Sequence, residues 1–357
     1  MSLKQLSELT GFSKSTVSRV INAHPYVSPE AVQRVQNVIA ELNYRHRPRR
    51  VRRKNQTASE GALKKKALTA FALVVTDIRS SSYSSLIHGF DKVAGEVGHQ
   101  VITCNSADDV YRQADIVLRL LDKGVAGVAL NPAAGLPAPL YQMRRLHASG
   151  IPVVFLHRGI CGFKAPLIRL PYDQVAAMAA EQMVARGHRR IALFLLSRAE
   201  GKAIYETELR KALDEYAVGS PGRLTVHYGS SAAGDWEEYE GDVEGALKEL
   251  LEMPVEDRPT AIFTPWEPTA KLIYLRLTKW GYDVPADISV VTEGDSFRGD
   301  ALSRQLTGVT LDESQAGGLA ARLLDEMCQG ARSLQDQQQF TIQIGWHEGQ
   351  TLGGGVG

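Results

Sequence analysis

Apolar residues recur every three or four positions through the first 44 residues, a spacing typical of amphipathic helices. Gly11 interrupts the pattern and can adopt the positive φ of a tight turn between two helices. Ser13 and Ser28 stand where the N-caps of a second and a third helix are expected. Three short helices are therefore predicted, and their apolar stripes are Leu3, Leu6 and Leu9, then Val17, Val20 and Ile21, then Val32, Val35, Ile39 and Leu42.

The second of these helices is unusually rich in short polar side chains. Within the stretch FSKSTVSRVIN, the face opposite the valines carries Lys14, Ser15, Ser18, Arg19 and Asn22. Small hydroxyl side chains let a helix lie deep in the major groove of DNA, where arginine can donate two hydrogen bonds to guanine. Two short helices joined by a glycine turn, with this polar second helix, predict a helix-turn-helix. The alternative is a three-helix bundle whose polar face is only solvated.

Charge is distributed unevenly along the chain, although the formal net charge at pH 7 is only +1. Residues 1–66 hold 14 Lys and Arg against 4 Asp and Glu, a net charge of +10, and the remaining residues carry −9. A basic segment of this kind is typical of a domain that binds a polyanion. The charge therefore favours DNA binding by the first helices over a solvated bundle.

From residue 67 onwards, short apolar runs alternate with amphipathic stretches. Runs such as TAFALVVTD and IPVVFLHRG lack polar alternation, which is typical of strands buried on both faces. Strands that alternate with helices predict an α/β core of two doubly wound parallel sheets. Ligands of such folds bind beyond the carboxyl ends of the strands, here between two lobes.

The predicted domain organisation has a head, a linker, a core and a tail. A helix-turn-helix head spans residues 1–44, and a basic linker spans 45–66. The core spans 67–345, and a glycine-rich, flexible tail spans 346–357. Within the core we expect lobe 1 to comprise 67–165 and 297–320, and lobe 2 to comprise 166–296 and 321–345.

Several stretches resemble the lactose/galactose repressor family of bacterial transcription regulators. In the head these are TGFSKSTVSRVIN and VSPEAVQRVQNVIAELNY, and in the second half they are GHRRIAL, GDWEEYEG and VPADISVV. The resemblance covers nearly the whole chain and implies a core like that of a periplasmic binding protein. It further implies a repressor that binds a near-palindromic operator as a homodimer or tetramer. A small-molecule effector, such as a sugar or sugar derivative, would bind between the lobes.

The resemblance also implies roles for individual residues of the head. Base contacts specify a sequence, whereas phosphate contacts position the protein on the duplex. The residues implied to face bases are Lys14, Ser15, Ser18 and Arg19, and those implied to hold phosphates are Ser2, Asn22, Tyr26 and Ser28.

The linker departs from the family pattern, because residues 45–54 contain six arginines and one lysine. The family places a short hinge helix here, with a leucine that wedges into the minor groove. In this chain the corresponding positions fall on arginines, near Arg50 and Arg53. One interpretation is that Arg49, Arg50 and Arg53 enter a narrow minor groove in place of the leucine. The other is a basic tether that adds only salt-sensitive, sequence-independent affinity.

The cleft between the lobes keeps some positions that the family uses for effectors. Trp236 matches an aromatic residue that can stack on a sugar ring. The other matching positions near the cleft are Ser80, Tyr83, His157 and Arg158.

Other cleft positions depart from the family. Tyr205 stands in place of an arginine, and Trp266-Glu267 replace an asparagine-aspartate pair. Gly294 replaces the first of two aspartates and leaves Asp295, and the frequent D-N after the crossover is Pro171-Tyr172. Sugar hydroxyls normally require charged or amide partners. We therefore expect a larger, flatter or aromatic-stacked effector, or none.

Common catalytic and cofactor motifs are missing from the sequence, including the phosphate-binding loop, the dinucleotide fingerprint, H-E-x-x-H and the nucleophile elbow. We therefore expect no enzyme activity, no cofactor and no metal. Cys104, Cys161 and Cys328 lie far apart and are expected to be buried thiols. Without a long apolar run or a secretion signal, the chain is expected to be cytoplasmic and to make no membrane contact. The rival interpretations are an effector-independent regulator, a solute-binding protein and an α/β enzyme.

Overall fold

The protein consists of a small helical head and a two-lobed α/β core. The structure, a computed structural model, describes residues 3–21, 28, 30–31, 34–35, 38, 69–78, 82–134, 140–195, 203–215, 222–229, 236–294 and 304–355.

The head begins with two short helices joined by a tight turn. Helix α1 spans Leu3–Thr10 and helix α2 spans Lys14–Ile21, and further helical residues follow between 30 and 38. Gly11 lies between α1 and α2 with a φ of +76°, which glycine adopts without strain. The helix-turn-helix predicted for this segment is confirmed.

Capping and burial in the head follow the predicted pattern with one exception. The Oγ of Ser13 accepts a hydrogen bond from the N–H of Thr16 at 3.1 Å and so caps α2. The prediction that Leu9 faces inward is wrong, because this side chain is 55% exposed. Thr10 is buried instead, and its Oγ1 donates to the carbonyl of Leu6 at 2.7 Å. The buried cluster of the head consists of Leu6, Val17, Val20, Ala31 and Val35; Val32, Ile39 and Leu42 lie outside the described residues.

The first lobe is built on a six-stranded parallel sheet in the order β11-β5-β4-β3-β1-β2. Its strands are β1 Ala70–Val75, β2 Gln100–Asn105, β3 Gly127–Leu130, β4 Val153–His157, β5 Leu167–Arg169 and β11 Gln339–Thr341. Its helices are α3 Ser82–Glu96, α4 Val110–Lys123, α5 Leu140–Ala148 and α10 Glu313–Cys328. Alternate residues of β1 face α3 and α10 on one side and α4 and α5 on the other. Both faces of the sheet are covered, so β1 reads as an uninterrupted apolar run.

The second lobe is built on a six-stranded sheet in the order β12-β10-β9-β8-β6-β7. Its strands are β6 Arg190–Leu195, β7 Arg223–Tyr228, β8 Ala261–Thr264, β9 Ser289–Gly294, β10 Thr307–Leu311 and β12 Ile344–His347. Its helices are α6 Tyr172–Ala185, α7 Ala203–Glu215, α8 Trp236–Glu252 and α9 Glu267–Lys279. The predicted α/β architecture is confirmed, except that β12 runs antiparallel to β10.

Within the described residues the chain crosses between the lobes at three places, and the predicted lobe boundaries are wrong at each. Strand β10, predicted for lobe 1, pairs with β9 in lobe 2. Strands β5 and β11, predicted for lobe 2, pair with each other in lobe 1. All of α10 lies in lobe 1, where a Cβ on Gly317 would approach the carbonyl oxygen of Leu86 in α3 to 2.0 Å. Strand and helix periodicity does not reveal which sheet a segment joins, whereas this close helix contact fixes α10 in lobe 1.

The C-terminal segment is packed against lobe 2, so the prediction of a flexible tail over 346–357 is wrong for the residues up to 355. Thr351 is fully buried; its Oγ1 donates to the carbonyl of Val290 at 2.6 Å and accepts from the N–H of Thr307 at 2.9 Å. A Cβ on Gly355 would lie 2.6 Å from the backbone of Gly187. The glycines of this segment therefore permit close backbone packing.

Two of the three cysteines differ from their predicted environment. Cys161 and Cys328 are exposed, while Cys104 is half-buried, and all three are free thiols. Cys161 lies in the turn after β4 and Cys328 ends α10, positions where the chain meets solvent. Over the described parts of the chain, no helix combines the length and apolar character that crossing a membrane requires.

Candidate DNA-binding helix and effector cleft

Helix α2 presents an exposed polar surface on an anchored backbone. Lys14 and Ser15 in its first turn are exposed, whereas Val17 and Val20 are buried in the core of the head. The other residues predicted to face bases, Ser18 and Arg19, are helical residues of α2. A helix fixed by valines and carrying lysine and hydroxyl groups outward has the form required to enter a major groove.

Of the remaining residues predicted to contact DNA, the structure describes only Ser28. Ser28 is exposed, and its Oγ accepts the N–H of Ala31 at 3.3 Å, which caps the next helix. Because a hydroxyl that accepts one bond can still donate its proton, this cap is compatible with a phosphate contact. The other predicted residues, Ser2, Asn22, Tyr26, Arg49, Arg50 and Arg53, lie outside the described residues.

In lobe 1, polar side chains at the carboxyl ends of β1, β3 and β4 form a chain of hydrogen bonds. The hydroxyl of Tyr83 lies 2.7 Å from Thr76 Oγ1 and accepts from Asn131 Nδ2 at 2.5 Å. Asn131 Nδ2 also lies 3.2 Å from His157 Nδ1, and His157 Nε2 lies 3.1 Å from Glu313 Oε2. Burial raises the pKa of Tyr83, so its hydroxyl is protonated at neutral pH. Two predicted cleft residues, Tyr83 and His157, are thus brought together.

Arg158 extends this network to the rim of lobe 1. Its Nε donates to Asn131 Oδ1 at 3.5 Å, and its Nη2 lies 3.8 Å from Asp108 Oδ1. Asp108, Ala107 and His157 have φ values of +53°, +53° and +61°. Residues other than glycine are strained in this region of backbone space, and such strain clusters at binding sites. The rim therefore combines charge with an unusual backbone at the position expected for a ligand.

In lobe 2, Tyr205 and Glu293 form a buried pair. The hydroxyl of Tyr205 donates to Glu293 Oε2 at 2.7 Å, and the two residues are 2% and 8% exposed. Burial and the neighbouring carboxylate of Glu293 raise the pKa of Tyr205 well above its usual value. The residue that stands in place of the family's arginine is therefore bonded within the protein.

The start of α9 brings a second carboxylate to this end of lobe 2. Trp266 is the N-cap residue of α9, and its ring meets that of Tyr239 edge-on at 5.6 Å. Glu267 is 4% exposed and forms a salt bridge with Lys271 at 2.7 Å. Its Oε2 lies 2.6 Å from the point that a Cβ on Gly294 would occupy. The glycine at position 294 therefore leaves room for the carboxylate of Glu267.

Tyr172, at the first crossover, lies between the polar groups of the two lobes. Its ring meets that of Tyr205 edge-on, with centroids 5.8 Å apart. Burial raises the pKa of Tyr172, and so do the carboxylates of Glu293 in lobe 2 and Glu313 in lobe 1. Because carboxylates of both lobes affect its pKa, Tyr172 lies close to both polar networks.

Three functional candidates were missed by sequence reasoning, and two of them left a signal. Asn131 is the polar residue that ends the apolar run GVAGVALN, and Glu293 is the acidic residue that follows the run DISVVT. Glu313 left none, because its partner His157 lies 156 residues away along the chain. Of the predicted cleft residues not yet placed, Trp236 begins α8, and Ser80 and Asp295 lie outside the described residues.

Two family models match the chain. The model described as bacterial regulatory proteins, lacI family, matches residues 2–46, and the model described as periplasmic binding protein-like domain matches residues 180–352. The ribose operon repressor of Escherichia coli (strain K12) is 26% identical over 323 residues, which are 90% of this chain and 91% of that protein. The HTH-type transcriptional repressor PurR of Vibrio atlanticus (strain LGP32) is 27% identical over 326 residues, 91% of each protein.

A solved structure has the same fold over the whole chain. The lac repressor dimer bound to operator and the anti-inducer ONPF is similar with a TM-score of 0.61 and 22% identity, covering 99% of each chain. Matches to the head, to residues 180–352 of the core and to full-length repressors thus agree with the helix-turn-helix and the two-lobed core. The chain matches the lacI family of bacterial regulatory proteins over residues 2–46, and it is a DNA-binding transcriptional regulator.

Proposed function

We propose that this regulator represses transcription as a homodimer that binds a near-palindromic operator through α2 of each subunit. The proposal is carried by α2, whose Lys14 and Ser15 are exposed while two valines hold the helix in the head. The net charge of +10 over residues 1–66 supplies affinity for the DNA backbone. The proposed base contacts are Lys14, Ser15, Ser18 and Arg19, and the proposed phosphate contacts are Ser2, Asn22, Tyr26 and Ser28.

In this proposal the basic linker takes part in DNA binding. Arg49, Arg50 and Arg53 would insert into a narrow minor groove between the two half-sites, where the negative potential is strongest. Such contacts favour binding to operators whose central base pairs deform easily, although no base is read directly. A repressor that acts on the chromosome in this way works in the cytoplasm.

The interlobe cleft is the proposed effector site. Tyr172 supplies a partly exposed ring there, packed edge-on against the buried Tyr205, and Arg158 with Asp108 supplies charge at the rim. These groups suit a small molecule with a ring and several hydroxyls, such as a sugar derivative. One relative is named for the ribose operon, which supports a ligand of that class. An effector that binds one lobe arrangement more tightly than the other would change operator affinity.

An effector-independent regulator is the second candidate, and one observation favours it. Buried polar groups near the cleft already pair with one another, as Tyr205 does with Glu293 and His157 with Glu313. A thermal-shift screen with sugars and nucleosides separates the two candidates, since a ligand that binds the folded state raises the melting temperature. A reproducible shift supports the effector-responsive regulator, and no shift across the panel supports the effector-independent one.

Selection of binding sites from random duplex DNA tests the proposed operator binding. The full-length protein should enrich a palindromic sequence, and Arg19→Ala should abolish the enrichment. Arg119→Ala is the matched control, because it removes the same charge from an exposed position of α4 in the core. Enrichment that survives Arg19→Ala would show that α2 does not read the bases as proposed.

A further inference from the structure

A groove of about 500 Å³ lies in lobe 2, between the edge strand β7 and helix α8. Phe194 and His227 line it from the sheet, and Tyr239, Gly241 and Gly245 line it from α8. None of the groups that form the polar networks of the interlobe cleft lines this groove. The groove is therefore a separate feature of the regulatory core, and a ligand could bind there whether or not the proposed operator and effector are correct.

On the α8 side of the groove, two positions one helical turn apart, Gly241 and Gly245, have no side chain. Glycine in a helix interior destabilises the helix relative to alanine. No close contact requires it here, since a Cβ added to Gly241 or Gly245 would meet no atom within 4 Å. Side chains at these two positions would instead project into the open space beside β7. The glycine pair therefore keeps the groove open.

Aromatic rings line the groove from both sides, and one of them carries a nitrogen without a hydrogen-bond partner in the part of the chain that the structure describes. The rings of Phe194 and His227 stack with centroids 4.8 Å apart and an interplanar angle of 29°. Tyr239, on the α8 side, is only 6% exposed. The Nε2 of His227 is buried and has no hydrogen-bond partner among the described residues. Burial lowers the pKa of His227, so its imidazole is neutral near pH 7. One ring nitrogen of a neutral imidazole can accept a hydrogen bond.

The side of the groove formed by α8 is acidic. Asp242 and Glu249 of α8 line it, and the helix as a whole carries seven acidic residues against one lysine. Arg276 of α9 forms salt bridges with Glu240 and Glu244, neither of which lines the groove. Among the described residues, the side chains that line the groove include Asp242 and Glu249 and no Lys or Arg, which favours a cation over an anion.

We infer that this groove binds a planar aromatic cation, such as an aryl amidine or aromatic amine. The ring would lie against Phe194 and Tyr239, an N–H would donate to His227 Nε2, and the positive charge would face the exposed Glu249. Helix α8 begins at Trp236, the aromatic residue predicted for the interlobe cleft. A ligand held against α8 would thus contact the helix that carries this predicted effector contact.

Benzamidine is a suitable probe, with benzamide as its neutral counterpart of the same shape. Binding to the full-length protein is measured by saturation-transfer NMR and calorimetry. Benzamidine should bind saturably and at least about threefold more tightly than benzamide, as a partly exposed ion pair contributes. Glu249→Gln should reduce that preference and leave benzamide binding unchanged.

Gly245→Leu tests where the probe binds. Leucine favours the helix and fills open space, so the variant should fold while losing benzamidine binding about tenfold or more. Gly95→Leu is the matched control, because Gly95 is an exposed glycine of α3 whose added Cβ also meets no atom within 4 Å. Absence of saturable benzamidine binding, equal binding of benzamide, or binding that Gly245→Leu leaves intact would each overturn the inference.

Discussion

Replacing Gly317 by alanine should destabilise lobe 1, although alanine is the better helix former. Gly317 lies in α10 where that helix crosses α3, and an added Cβ would approach the carbonyl oxygen of Leu86 to 2.0 Å and the amide nitrogen of Phe90 to 2.7 Å. Both are backbone atoms of α3, so no side-chain rotation can relieve the contact. The crossing is equally close at Gly89 of α3, where an added Cβ would lie 1.9 Å from the carbonyl oxygen of Ser314.

The expected magnitude depends on two opposing contributions. Alanine in a helix interior is favoured over glycine by about 1 kcal/mol. Overpacking costs about 1–3 kcal/mol, and the upper end applies here because α3 and α10 must separate to admit the methyl group. The net loss is therefore about 2 kcal/mol, which corresponds to a melting temperature lower by about 4–8 °C for a lobe of this size.

Differential scanning calorimetry of Gly317→Ala and Gly241→Ala measures both contributions. Gly241 lies in the interior of α8, and its added Cβ meets no atom within 4 Å, so the same substitution there should stabilise the protein by about 1 kcal/mol. Equal shifts of the two variants, in either direction, would refute the close crossing of α3 and α10.

Three further outcomes are expected for groups that the structure shows to be buried. Tyr205→Phe should lower the free energy of unfolding by about 1.5–3 kcal/mol, because it removes a hydrogen bond to the carboxylate of Glu293, whereas Tyr111→Phe at an exposed position should change urea unfolding little. Thr351→Ala should cost about 1–3 kcal/mol in the same assay, since it leaves the buried N–H of Thr307 without its partner. Burial lowers the pKa of His188, so the unfolded chain takes up a proton that the folded state does not as the pH falls below about 6.5. Stability should therefore decrease below that pH in urea titrations, and His188→Gln should flatten the decrease.

The fold class and the head were predictable from sequence because their signals are local. The apolar stripe through Val17 and Val20, the turn at Gly11 and the uninterrupted run of β1 each depend on residues a few positions apart. Leu9 shows the limit of such reasoning. An apolar stripe at helical spacing predicts one face of α1, but it does not show how far along that face the neighbouring helices pack, and Leu9 is exposed.

Features that depend on distant partners were not predictable. The lobe in which α10 lies is fixed by its contact with α3, more than 200 residues earlier in the chain. The buried position of Thr351 depends on hydrogen bonds to Val290 and Thr307, which are distant in sequence. The glycine-rich composition of this segment alone therefore predicted a flexible tail. In the cleft, Tyr83 and His157 were found by resemblance, but Glu313 required the fold itself.

The central claim, that α2 reads DNA sequence, is tested most directly by the specificity ratio. Fluorescence anisotropy compares the enriched duplex with a scrambled duplex of the same length and composition, at two salt concentrations, using the full-length protein. We expect the enriched duplex to bind about a thousandfold or more tightly at both salt concentrations, while both affinities fall as salt rises. Equal affinity for the two duplexes would contradict this claim, and would mean that the basic charge of residues 1–66 binds DNA without reading its sequence.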